Sequence, residues 1–106
     1  MKPDSYIQIS QEEAKRMMDE EENVIVLDVR EQHEFDAGHI PDALLLPVGS
    51  IDEASAAHAI PDQNSVVLVY CRSGNRSKAA SEKLVSLGYA KVYEFGGINT
   101  WPYGVE

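Results

Sequence analysis

The sequence predicts an α/β domain of three layers, α/β/α, around a central and mainly parallel sheet of about five strands. Three observations carry that expectation. Apolar runs of strand length recur along the chain, and amphipathic stretches of helical length separate them. The two strongest runs, Val24-Ile25-Val26-Leu27 and Val66-Val67-Leu68-Val69-Tyr70, are continuous rather than alternating, as strands covered on both faces require. Helix-capping residues stand between the runs, where crossovers between parallel strands would begin and end.

Tyr6 to Ile9 alternates and reads as a short first strand. Ser10 with Glu13 then forms a capping box, and Ile9 with Ala14 a hydrophobic staple, for a helix whose apolar side is Ala14, Met17 and Met18. Val24 to Leu27 is a buried strand that leads into Asp28-Val29-Arg30. Glu31 to Ala37 is a short helix that Gly38 suits as a C-terminal cap. Ala43 to Leu46 reads as another buried strand, and Ile51 to Ala59 as a helix stopped before Pro61. Val66 to Tyr70 is the main strand, with Cys71 directly after it. Ser77 to Leu87 is a helix with Ala80, Leu84 and Leu87 on one face and Gly88 at its end. Val92 to Phe95 is a last strand, followed by Gly96-Gly97 and a helical turn around Trp101.

Residues 1–106 read as one domain, because neither a repeat nor a Pro/Gly/Ser-rich linker divides them. A chain of this size buries roughly two thirds of its unfolded surface, enough for a core without staples. The composition, 43% hydrophobic and 25% charged, is that of a globular domain. A net charge of -9 argues against nucleic acid as a partner. No apolar run reaches spanning length, so no membrane segment is expected, and the polar start at Met1 reads as cytoplasmic. One cysteine rules out an intrachain disulfide and a multi-cysteine zinc site, and His33, His39 and His58 lack the spacing of metal ligands. No metal or organic cofactor is expected, and no spare apolar stripe calls for a second copy, so the expected state is a monomer.

Against this acidic background, two of the nine basic residues flank the single cysteine in one short loop: Cys71-Arg72-Ser73-Gly74-Asn75-Arg76, with Ser77 opening the helix. In a parallel sheet, sites form beyond the carboxyl ends of the strands, where this loop falls. Gly74 and Asn75 tolerate the positive φ that a chain needs to turn its amides inward. Convergent N–H groups and a helix N-terminus then make an anion cradle. The helix dipole supplies only ~0.3–1 kcal/mol for a nearby anion. The guanidiniums of Arg72 and Arg76 would add fixed charge and paired hydrogen bonds to an oxyanion. The same field would ionise the sulfur, because a thiol at a helix N-terminus beside arginines falls from about 8.5 into the range of roughly 3.5–7.5. Cys71 is therefore the candidate nucleophile.

This loop resembles the active-site loop of rhodanese-like sulfurtransferases, and the resemblance extends along residues 24 to about 104. Leu27-Asp28-Val29-Arg30 with Glu34-Phe35 is similar to the family's first strand and its exit. Gly38-His39-Ile40-Pro41 with Ala43 is similar to its Gly-His-Ile-Pro-Gly-Ala signature, and Gly96-Gly97-Ile98 with Trp101 to its C-terminal element. The resemblance implies a double displacement. Cys71 would take sulfane sulfur from thiosulfate or a related anionic donor as a persulfide. Loop amides from Arg72 to Ser77 would hold the terminal sulfur, and a small thiol, a thioredoxin-like protein or cyanide would remove it. Arg72, Ser73, Gly74, Asn75, Arg76 and Ser77 are the substrate-binding candidates; Asp28 and Arg30 are supporting residues, through hydrogen bonds to the loop or a pair with each other. His39 reads as a hydrogen-bonded turn residue and Trp101 as a core anchor. Asp42 stands where the family commonly has glycine, so either a departure of the backbone or a cap in place of the turn is expected there.

Two other functions compete. Phosphatases and arsenate reductases also use Cys-loop-Arg cradles, but Cys71 and Arg76 enclose one residue fewer than the phosphatase signature, and no segment offers a general acid. The second is a non-enzymatic persulfide carrier or protein-binding module on the same fold, because fold alone does not fix function.

Overall fold

The computed structural model describes residues 5–106. Five parallel strands form one sheet in the order β1-β5-β4-β2-β3. They are β1 (Ile7–Gln8), β2 (Val24–Asp28), β3 (Leu44–Leu45), β4 (Val66–Cys71) and β5 (Lys91–Gly97). Four helices alternate with them: α1 (Gln11–Glu20), α2 (Gln32–Ala37), α3 (Glu53–Ala59) and α4 (Asn75–Ser86). Among the described residues no helix is long and apolar enough to cross a membrane.

The alternation of side chains along each strand builds two cores. On one face Leu27, Val67, Val69, Cys71 and Val92 pack against Ala56 of α3 and Ala80, Leu84 and Val85 of α4. On the other, Val26, Leu68, Tyr70 and Phe95 pack against Ala14 and Met17 of α1, with Phe35 of α2 alongside. This is why the runs of β2 and β4 are continuous: each residue has an apolar layer to enter. Cys71 and Tyr70, adjacent in sequence, thus serve opposite faces.

Four local expectations need correction. The segment from Ala43 is a two-residue edge strand and not a buried one: it pairs only with β2, and Leu44 is 46% exposed. At the start of α1, Ser10 Oγ accepts the Glu13 N–H as expected, but the Glu13 carboxylate pairs with Arg16 one turn on, so the box is half made. Cys71 is the last residue of β4 rather than the first beyond it, and α4 begins at Asn75, two residues early. Asp42 keeps a glycine-like backbone, at φ 69, in the left-handed region that Asp tolerates better than most residues. Gly88 closes α4 as expected. At φ 106 its N–H donates to Val85 O, while Tyr89 N–H returns to Leu84 O.

Candidate active site

The register between β4 and β5 shifts at their carboxyl ends, where Val69 lies opposite Glu94 but Cys71 lies opposite Gly97. Gly96, at φ 92, sits in that irregularity, and bulges of this kind re-aim strands beside functional sites. The extra residue carries β5 under the loop that leaves Cys71. Gly97 is required there, since a Cβ on it would overlap the Arg72 carbonyl. Gly74, at φ 110, is the N-cap of α4 and turns the loop back over the sulfur.

Cys71 Sγ is buried at the floor of this turn. It accepts the Gly74 N–H at 3.0 Å and lies 3.5 Å from Ser77 Oγ. Burial pushes the thiol up, but the Ser77 hydroxyl and the backbone N–H groups of Ser77, Gly74 and Ser73 outweigh it and hold the thiol below its ordinary value. The direction agrees with the sequence; the cause differs. The amides and one hydroxyl hydrogen-bond the sulfur, whereas the Arg76 guanidinium is hydrogen-bonded to Glu34 and acts on Cys71 only by its charge.

Arg76 forms a two-pronged pair with Glu34 of α2, Nη1 to Oε1 at 2.6 Å and Nη2 to Oε2 at 2.9 Å. The pair joins helices from opposite faces across the strand ends. Arg76 holds the Glu34 carboxyl at about 2, against 4.5 for an ordinary glutamate. The pair's contribution is therefore complete above pH 4.5 and is lost as pH falls towards 2. Because the pair is partly exposed, it contributes about 1 kcal/mol at most. Urea unfolding followed across this window is expected to show that loss, and Glu34→Gln is expected to flatten it. The Arg72, Ser73 and Asn75 side chains are exposed on the outer rim of the loop, while the Arg72 carbonyl is tied down by the Asn99 N–H at 3.2 Å.

Asp28 and Arg30 pair with each other and not with the loop. Asp28 is fully buried and accepts Arg30 N–H and Nε–H on Oδ1 at 3.0 and 2.9 Å, and Arg30 Nη2–H and the Tyr70 hydroxyl on Oδ2 at 2.7 and 2.6 Å. Arg30 also donates to Gly38 O at 2.7 Å, and the Tyr70 hydroxyl accepts the Ile40 N–H at 3.1 Å. Burial, then the bond to Asp28, push the Tyr70 phenol far up. His39 is a turn residue, with Nδ1 3.0 Å from Phe35 O, its ring stacked on Phe35, and its backbone paired with Glu106. Trp101 packs against Phe95 and Tyr103 at the edge of the second core.

Sequence reading passed over three residues. In sequence Tyr70 reads only as the last residue of the main strand, and Glu34 only as part of the Glu34-Phe35 motif. Glu94 is 2% exposed on β5, on the Cys71 face, with Oε2 2.6 Å from Ser77 Oγ. The signal for Glu94 was available: a carboxylate inside Val92-Tyr93-Glu94-Phe95 needs buried partners.

Residues 10–102 match the family model described as a rhodanese-like domain. The chain is 35% identical over 97 residues to the thiosulfate sulfurtransferase GlpE of Coxiella burnetii, covering 91% of this chain and 87% of that protein. It is 36% identical over 72 residues to the thiosulfate sulfurtransferase PspE of Escherichia coli, covering 68% of each. Among solved structures, a rhodanese-like domain protein from Staphylococcus aureus is similar with a TM-score of 0.81 and 30% identity, over 94% of this chain and 96% of that one.

Proposed function

The chain belongs to the rhodanese-like domain family, and from that premise we propose that it is a sulfurtransferase working through a persulfide on Cys71. The observation that carries this reading is the hydrogen-bonded sulfur: a buried thiol held below its ordinary value by inward-facing amides at the start of a twelve-residue helix. Thiolate attacks the outer sulfur of thiosulfate, a sulfur–sulfur bond forms, and the donor's own sulfur–sulfur bond breaks with its electrons leaving on sulfite. The cradle keeps one negative charge before and after, now on the terminal persulfide sulfur. An external thiolate or cyanide then attacks that terminal sulfur and returns Cys71 as thiolate. With a single cysteine the chain has no internal thiol to resolve the persulfide, so the acceptor comes from outside.

Arg72 and the first turn of α4 would receive the anionic donor at the rim, and Arg76 would do so on leaving Glu34 or while sharing it. A phosphatase reading has less support, since Cys71 and Arg76 enclose one residue fewer than the phosphatase signature and Arg76 is paired with Glu34.

Intact-protein mass spectrometry after incubation with thiosulfate tests the proposal. The expected result is a gain of one sulfur, about 32 Da, at the thiolate site, removed by cyanide or dithiothreitol. If thiosulfate and polysulfide both leave the mass unchanged, the proposal fails and the carrier-free binding module takes its place.

A further inference from the structure

Ser77 has one hydroxyl proton and several acceptors around it. Its Oγ lies 2.6 Å from Glu94 Oε2, 3.0 Å from Gly74 O, and 3.5 Å from both Cys71 Sγ and Gly96 O. Ser77 is fully buried, so water does not relieve the competition. Glu94 cannot follow the hydroxyl if it turns away: Oε2 also accepts the Gly96 N–H at 2.8 Å, and Oε1 accepts Gln8 Nε2–H at 3.2 Å. With its proton on Glu94, Ser77 presents a lone pair to the sulfur, which suits a thiol. To serve a thiolate, the hydroxyl must rotate and leave the carboxylate.

We propose that Glu94 acts on Cys71 through Ser77, competing for the single hydroxyl proton and so restraining formation of the thiolate. This deepens the sulfurtransferase reading and rests on it. No covalent bond changes at Ser77: its O–H turns, the Cys71 proton leaves to solvent, and the electron pair stays on sulfur. The restraint has a chemical use. Intrinsic nucleophilicity of a thiolate falls with its basicity, so a sulfur stabilised by every available donor would attack more slowly once ionised. Glu94 would be a positioning residue that never touches the donor.

The other titratable groups around Glu94 are few. Tyr6, ahead of β1, feels both Glu94 and Glu82 of α4. Lys78 of α4 lines the same 360 Å³ cavity as Glu94, to which α1 and β1 contribute Gln11 and Gln8. Ser77 bridges Cys71 to Glu94 by hydrogen bonds, and Arg76 of α4 is the cation whose charge is felt at Cys71.

Thiolate absorbance titration of the whole chain tests the coupling. Glu94→Gln is expected to lower the Cys71 midpoint by about one pH unit, or about tenfold more thiolate below it, the size of one hydrogen bond to a charged group. Ser77→Ala is expected to raise the midpoint, and adding Glu94→Gln to it is expected to change nothing further. Glu94→Asp, which keeps the charge but draws it back from Ser77, should move the midpoint in the same direction as Glu94→Gln. An unmoved midpoint in Glu94→Gln, an equal shift in the Ser77→Ala background, or a wild-type midpoint in Glu94→Asp would each overturn the proposal. The titration requires no sulfur donor, so its failure and a failure of sulfur uptake are read separately.

Discussion

Cys71→Ser is expected to take up no sulfur from thiosulfate or polysulfide, and its turnover should fall by at least about a thousandfold, while the fold persists. The persulfide needs a sulfur on the protein, and a serine hydroxyl is not ionised in the range where a thiolate is. The cradle would survive the change, because Gly74 N–H and Ser77 Oγ can both bond to an oxygen at that position. The loss in stability should be small, about 1 kcal/mol, since one buried atom is replaced by a smaller one that keeps its partners. Mass spectrometry, steady-state turnover and thermal unfolding on the same preparation separate the two effects. Sulfur uptake that persists in Cys71→Ser would remove Cys71 as the carrier. A lost fold would make the sulfur a structural atom and leave the chemistry unexplained.

The architecture was legible because a parallel sheet writes itself into sequence as continuous apolar runs, and Val24–Leu27 and Val66–Tyr70 are such runs. The reading weakened at the margins of the sheet. The segment from Ala43 to Leu46 is as apolar as the central strands, and sequence does not distinguish an edge strand with one neighbour from a covered one. The loop was legible as a set of residue types, Gly74 and the single cysteine above all. The destinations of its charges were not. Arg76 meets Glu34 across 42 residues and Ser77 meets Glu94 across 17, and only the crossing of α2 and α4 over the strand ends and the bulge in β5 bring them together. A guanidinium beside a cysteine in sequence is therefore a poor guide to which carboxylate holds it. Asp42 shows the reverse case. The backbone keeps the turn, and the residue accepts a left-handed φ of 69 instead of moving it.

The largest effect on stability is expected from Asp28→Ala. Asp28 receives the Arg30 side chain and backbone and the Tyr70 hydroxyl, all in the core. Its removal leaves a guanidinium, 5% exposed, with the Gly38 carbonyl as its one remaining hydrogen-bond acceptor among the described residues, and a buried phenol without its acceptor. Breaking one side of such a pair costs about 3–5 kcal/mol. Since a domain of this size has about 5–15 kcal/mol in total, the variant should be marginal at physiological temperature. The cost comes from the orphaned charge more than from the lost attraction, so Asp28→Ala combined with Arg30→Met should recover much of it. Urea unfolding of both variants measures this, with the midpoint of the double variant above that of the single one. A single variant that loses less than about 1 kcal/mol would mean that water reaches Arg30. The chemistry should follow differently. Asp28 and Tyr70 serve the face opposite Cys71, so the folded fraction of Asp28→Ala should still take up sulfur in the cold. Tyr70 is nevertheless the residue before Cys71, and fixing its hydroxyl fixes the end of β4 from behind. Loss of sulfur uptake in a still-folded variant would show that the cradle depends on this support.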